Sequence, residues 1–170
     1  MEFTSINKSS VKLKGKTASF LVNPAQPAND VNGIFYFSSD PSRSSLIDGV
    51  IVLDRPGEYE IGGVKIKGDR YDDQMVFSLK IDGLSLLIGG LSLLEKVHGK
   101  LQENDLALIW VDKSLDPSFV SALATNGILY FGEEAQELGK TFLKDGFQSV
   151  SKFATTKEKL PQEMATLLLQ

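Results

Sequence analysis

Polar and apolar residues alternate along the first half of the chain, and the period lengthens in the second. Ser10 to Leu13 alternates outward and inward, Gly15-Lys16 supplies a turn, and Thr17 to Val22 is rich in strand formers, which predicts a β-hairpin ended by Asn23-Pro24. Ile34-Phe35-Tyr36-Phe37 is a short aromatic run suited to a buried strand; a polar loop from Ser38 to Ser45 follows, then a short apolar strand from Val50 to Leu53. Glu58 to Ile61 and Val64 to Lys67 predict a second hairpin around Gly62-Gly63. Met75 to Ile81 and Leu84 to Ile88 predict a third, because Asp82-Gly83 between alternating apolar runs is a strong two-residue turn signal.

Beyond Leu91 strand and helix patterns alternate. Leu93 to His98 reads as a brief helix closed by Gly99, and Leu106 to Val111 as an apolar strand. Asp116-Pro117 suits a helix start running through Thr125, and Ile128 to Phe131 is strand-like. Glu133 to Lys144 is helical, with acids in its first turn, lysine at its end and Gly146 closing it. Phe147 to Phe153 is extended, and Met164 to Leu169 is a final strand or helix. With no internal repeat or linker, the expectation is a single α+β domain over 1–170.

The chain has 170 residues and a net charge of −4, a size that buries a substantial core without staples. Acids and bases are spread over both halves, so nucleic acid is not an expected partner. The first residues lack a signal-peptide pattern, and the longest apolar stretch, Leu84 to Leu94, is about half the ~20 residues of a membrane helix and is interrupted by Gly89-Gly90. A cytoplasmic protein off the membrane is expected. The absence of cysteine excludes disulfides and thiolate zinc ligands.

The stretch Pro56-Gly57-Glu58-Tyr59-Glu60, with Gly63-Val64-Lys65-Ile66 after it, resembles the metallo-β-lactamase-fold superfamily, in particular its lactonase-like branch of Zn-dependent hydrolases. Ser10 to Pro24 is similar to the opening hairpin of that branch, with Asn23 where an acid is usual; Leu87-Ile88-Gly89-Gly90-Leu91 resembles its H-L-G-D-L segment, and Asn104 to Ile109 the strand after it. The resemblance implies a four-layered αβ/βα sandwich, shortened, and a metal-hydrolase ancestry. It also implies a ligand loop H-x-H-x-D-H, because imidazoles and a carboxylate must converge on zinc to activate water. Here that loop reads Ser39-Asp40-Pro41-Ser42-Arg43-Ser44, with Ser39, Pro41, Arg43 and Ser44 at the ligand positions. Pro41 offers no side-chain donor, and Arg43 carries a permanent positive charge. The histidine and bridging-acid positions of H-L-G-D-L hold Leu87 and Gly90, the region of a further histidine reads Tyr71-Asp72-Asp73, and the late strand that usually ends in histidine ends Tyr130-Phe131-Gly132.

His98 is the one imidazole in the chain and so the one general base near neutral pH, but its place before Gly99 at a helix end suits a structural role. Asp40, Asp72 and Asp73 are candidates for an oxygen-only site of the kind Mg²⁺ or Ca²⁺ takes, although loop acids are common in turns. Glu58 and Glu60 share one strand face, and Lys12, Lys14, Lys65 and Lys67 would form a basic stripe if their hairpins were neighbours. Gly139-Lys140-Thr141 lacks the upstream glycine of a phosphate loop, and no G-x-S-x-G elbow is present. Phe35, Tyr36, Phe37, Trp110 and Phe131 are expected in the sandwich core.

The expected function is a catalytically inactive binding or assembly module without a cofactor. Its vestigial cleft comprises Ser39, Asp40, Pro41, Arg43, Ser44, Asp72, Asp73 and Gly90, and its partner is a protein or small molecule, a second copy included. The alternative is a metal-dependent hydrolase using the oxygen ligands Asp40, Asp72 and Asp73.

Overall fold

A computed structural model of the chain describes every residue except 27, 29, 41–48, 114–121, 138–147 and 162–163. The first strands are β1 (Glu2–Asn7), β2 (Ser10–Lys14), β3 (Ser19–Val22), β4 (Gly33–Phe35) and β5 (Ile51–Leu53). A meander follows through β6 (Gly57–Ile61), β7 (Val64–Tyr71), β8 (Gln74–Ile81) and β9 (Leu84–Gly90), and α1 (Leu91–Val97) leads on to β10 (Asn104–Trp110) and β11 (Thr125–Phe131). The chain closes through β12 (Gln148–Val150), β13 (Lys152–Ala154) and β14 (Ala165–Leu169).

These strands build two sheets, ordered β13-β1-β2-β3-β4-β5 and β12-β14-β11-β10-β9-β8-β7-β6. All three anticipated hairpins form. At the β8–β9 turn both central residues have positive φ, 54° at Asp82 and 79° at Gly83, the conformation whose twist matches the flanking strands. From β9 onward the second sheet is parallel, through β10, β11 and β14. Parallel neighbours need a crossover, and α1 supplies the one between β9 and β10. At seven residues α1 is too short to stand alone, so its stability comes from burying Leu91, Leu94 and Val97 on one face.

Three apolar clusters define the layers. Between the sheets lie Phe3, Phe20, Phe35, Phe77, Leu106, Leu108 and Phe131, while Ala107, Ile109, Ile128 and Tyr130 face the other way into a cluster with α1. Burial on both faces is why β9, β10 and β11 read as continuous apolar runs and not as alternating ones. The third cluster, on the outer face of the first sheet, holds Leu21, Val31, Ile34 and Tyr36. Tyr36 therefore leaves the inter-sheet core where it was expected, because it neighbours Phe35 on a pleated backbone.

Other departures have local causes. β1 has only Phe3 fully buried, too little contrast for a period of two, and it forms because β2 and β13 pair with it on either side. β11 begins at Thr125, where a helix end was expected; most of that helix, like residues 138–144 of the one expected from Glu133, lies outside the described residues. Residues 148–154 divide at Ser151, β12 joining the second sheet and β13 the first. Met164 to Leu169 resolves as strand.

A short repeat is present after all: Gly-Leu-Ser-Leu-Leu occurs at 83–87 and again at 90–94. The first copy runs from the turn into β9, whereas the second runs from the end of β9 into α1. Each serine is held by an aspartate on the far side of the crossover. Asp105 Oδ2 accepts Ser85 N at 2.7 Å and Ser85 Oγ at 2.9 Å, and Ser85 Oγ in turn accepts Asp105 N at 2.9 Å. Asp112 Oδ1 accepts Ser92 N at 3.0 Å and Ser92 Oγ at 2.8 Å, capping a helix whose N-cap, Gly90, has no side chain to do so.

These carboxylates support one prediction and Asp82 a second. Asp105→Ala leaves the Ser85 groups unanswered and is expected to cost about 2 kcal/mol, the scale of hydrogen bonds to a charged group, while Asp112→Ala costs about 1 kcal/mol as a lost cap. Urea denaturation with unchanged m-values measures both, and equal, negligible shifts would remove the clamps from the account. The second concerns Asp82, whose Oδ2 lies 3.0 Å from the Met1 ammonium and whose Oδ1 accepts Lys16 N at 3.1 Å. Burial opposes its charge, but the Lys16 N–H and then the ammonium outweigh burial and hold the carboxyl below the usual range. A lowered folded-state pKa means stability present above the unfolded value, about 3.9, and lost as pH falls through the folded one. Asp82→Asn is expected to flatten that part of the acid-denaturation curve; an unaltered curve contradicts the linkage.

Candidate functional site

Of the described positions where the resemblance places metal ligands, Ser39 follows β4, and Gly90 and Phe131 end β9 and β11, at the end of the sandwich where β10 also finishes. Phe37 follows β4 and accepts Met75 N at 2.9 Å, and Ser38 bridges to Gln74, so the chain beyond β4 is tied to the second sheet. Ser39 Oγ donates to Asp54 O at 2.5 Å and accepts from Arg70 Nη2. Asp40 N donates to Asp54 Oδ2 at 3.3 Å, and Asp54 Oδ1 lies 3.7 Å from Arg55 Nε. Asp54 is only 3% exposed, and it anchors this corner. It escaped notice in the sequence, where an acid closing the apolar run Val50 to Leu53 before Pro56-Gly57 was its only signal. Pro41, Arg43 and Ser44 lie outside the described residues.

Asp72 and Asp73 form the exposed tip of the β7–β8 hairpin, Asp72 with a φ of 56°. They do not join Asp40: among the described residues no group of three or more histidine, cysteine, aspartate or glutamate side chains is placed to hold an ion. Leu87 is buried in the α1 cluster, and Gly90 and Phe131 end their strands. Zinc takes imidazole, thiolate or carboxylate, and Ser39, Leu87, Gly90 and Phe131 offer none of these, so these residues do not fit a zinc centre.

Aromatic rings meet at these strand ends. Trp110 stacks on Phe37 across the two sheets with centroids 5.4 Å apart and planes within 3°, and Phe131 tilts against Phe37 at 6.5 Å. Trp110 has Gly90 as its register partner on β9 and Phe131 on β11, with Gly132 next along the chain. Gly132 is demanded by geometry: its φ is +120°, and a Cβ would come 2.8 Å from Val111 O and 3.0 Å from Trp110 Cδ1. Gly90 is not. Its backbone, φ −78° and ψ 142°, suits any residue, and a Cβ would sit in ordinary contact, 3.6 Å from Asp112 Oδ2 and 3.7 Å from Trp110 Cε3.

The remaining candidates lie elsewhere. His98 Nδ1 is within hydrogen-bond distance of Glu95 O, 2.9 Å, and the ring borders a small cavity of about 90 Å³ beside Asn104 and Thr125, at the opposite end of β10 from Trp110. Six strand steps separate those ends, roughly 20 Å, so His98 has no access to the cleft. Glu58 and Glu60 sit opposite Lys67 and Lys65 as cross-strand pairs, an exposed charge ladder on the β6–β7 hairpin. The basic stripe does not form. Val11 and Leu13 point into the inter-sheet core from the first sheet and Val64 and Ile66 from the second, which sends Lys12 and Lys14 to one outer face and Lys65 and Lys67 to the opposite one.

No family model matches the chain, and no curated protein matches it. Solved structures do. A protein from Thermotoga maritima described as a Zn-dependent hydrolase of the metallo-β-lactamase superfamily is similar at a TM-score of 0.74 and 19% identity, with 99% of each chain covered. One from Parabacteroides distasonis, described as a metal-dependent hydrolase, gives a TM-score of 0.58 at 16% identity over 99% of this chain and 93% of that one. The metallo-β-lactamase fold protein YhfI from Bacillus subtilis gives 0.53 at 8% identity over 98% and 95%. The chain has the metallo-β-lactamase fold, with two large sheets and few helices among the described residues.

Trp110→Ala is expected to destabilise the chain by about 3 kcal/mol, the low end for a large aromatic because Trp110 is only partly buried. Gly90→Ala is expected to fall within about 0.5 kcal/mol of the parent protein. Parallel urea titrations check the pair, and a tolerated Trp110→Ala would show that the stack does not fill the cleft.

Proposed function

We infer that this metallo-β-lactamase-fold chain acts by binding, as a catalytically silent module, and does not hydrolyse a substrate. The observation that carries the reading is the Phe37–Trp110 stack, which occupies the strand ends where the resemblance puts metal ligands. Apolar rings are a poor environment for a dication, whose desolvation would go uncompensated without ionised donors. The donor content of the sequence supports the same reading, with one histidine and no cysteine in the whole chain. A module of this kind works by presenting surface to a protein or small molecule, a second copy of the chain included, with the rim at Ser39 and Asp40 as the contact. No helix among the described residues is long and apolar enough to cross a membrane, and action in the cytoplasm is part of this proposal. The alternative hydrolase built on Asp40, Asp72 and Asp73 receives no support, because those acids do not converge.

Purification without chelator followed by metal analysis tests the reading. Substoichiometric zinc is expected, together with no rise in melting temperature on adding Zn²⁺, Mg²⁺ or Mn²⁺, since a cation held only by the folded state must raise it. Stoichiometric zinc accompanied by turnover of an ester, lactone or phosphodiester overturns it.

A further inference from the structure

At the end of the sandwich away from Trp110, an open groove of about 340 Å³ lies between the end of β2, the β8–β9 turn and the segment after β13. Its size falls within the roughly 300–1,000 Å³ of small-ligand sites. Lys14 and Lys16 border it from the end of β2 and the turn after it, Lys159 from a second stretch of chain, and Thr155 and Thr156 line it beside them. Two carboxylates share the lining, and both are occupied. Glu2 pairs with Lys152 at 2.8 Å, and Asp82 with the Met1 ammonium at 3.0 Å and Lys16 N at 3.1 Å. Neither consumes a lysine side chain of the groove.

Lys14, Lys16 and Lys159 have no salt bridge among the described residues. Asp82 and Glu158 both lie in the field of Lys16, though the Glu158 carboxyl is lowered chiefly by a backbone N–H and by the Thr156 hydroxyl. The result is a local excess of positive charge on a chain whose net charge is −4. Three exposed ammonium groups bordering one concavity match an anion with several acceptor oxygens better than they match a neutral ligand.

We propose that the groove bordered by Lys14, Lys16 and Lys159 binds a phosphate group, free or carried on a small molecule. This stands apart from the reading of the aromatic-filled end, because the two surfaces lie at opposite ends of the sheets and share no residue. The site needs no metal.

Titration of the untagged chain with inorganic phosphate, and separately with pyrophosphate, at constant ionic strength tests the proposal by amide NMR. Saturable shifts confined to the neighbourhood of Lys16, Thr155 and Thr156 are expected, with pyrophosphate binding more tightly because it offers more charge. The double variant K16A/K159A is expected to weaken binding about tenfold, the loss of two exposed charge-assisted contacts. Lys12→Ala, on the outer face of the first sheet and paired with Asp30, serves as the control and is expected to leave binding unchanged. If the double variant misfolds, Lys159→Ala alone, in an exposed turn, carries the same test. Shifts that grow linearly without saturation, or equal weakening by Lys12→Ala, overturn the proposal.

Discussion

The alignment of β9 with β10 is the constraint from which the rest of this molecule takes its order. An aspartate near each end of β10 reaches back across the α1 crossover to a serine twenty residues earlier, Asp105 to Ser85 and Asp112 to Ser92. A slip of one residue would not merely lose hydrogen bonds. It would turn Leu106 and Leu108 toward α1 and Ala107 and Ile109 into the inter-sheet core, leaving alanine where a leucine fills the core and crowding a leucine where α1 packs on alanine. Carboxylates serve this purpose well, since a charge-assisted bond is costly to leave unmade and so penalises the wrong register more than it rewards the right one.

That alignment also determines what meets at the cleft end. With β9, β10 and β11 in register, Gly90, Trp110 and Phe131 fall side by side, and the indole has room because Gly132, whose Cβ would come 3.0 Å from Trp110 Cδ1, flanks it. The two glycines differ in kind: Gly132 is imposed by its backbone and by Val111 O, whereas Gly90 sits in an ordinary extended conformation with space for a side chain. The scaffold therefore does not forbid an acid at position 90. What it lacks is a set of partners for one, as Ser39 is engaged with Asp54 and Arg70, and Asp72 and Asp73 form no ion-holding group with Asp40.

Much of the architecture was legible in the residues, and the parts that were not share a physical reason. Hairpins at Gly62-Gly63 and Asp82-Gly83 were readable because turn chemistry is local. The strand β1 was not, because one buried Phe3 among polar neighbours carries no periodic signal and the strand is made by its partners. The pentapeptide Gly-Leu-Ser-Leu-Leu makes the same point from the other side, adopting strand once and helix once within twelve residues of sequence. Packing decides between the two, since the same leucines fit a pleated face in β9 and a helical stripe in α1. At the candidate site, the replaced ligand positions were readable from residue identity, but Asp54 was not, since nothing in its neighbours announces that an acid there will be buried.

The division of residues 148–154 at Ser151 has a mechanical consequence. Val150 belongs to one layer of the sandwich and Lys152 to the other, and Ser5 N holds Ser151 O at 2.9 Å between them. The layers are thus stitched along one margin by a single unbroken length of backbone with no slack. The opposite margin is closed in the same way, since only Asp54, Arg55 and Pro56 separate β5, at the edge of one sheet, from β6, at the edge of the other, so the layers cannot be prised apart like the covers of a book from either side.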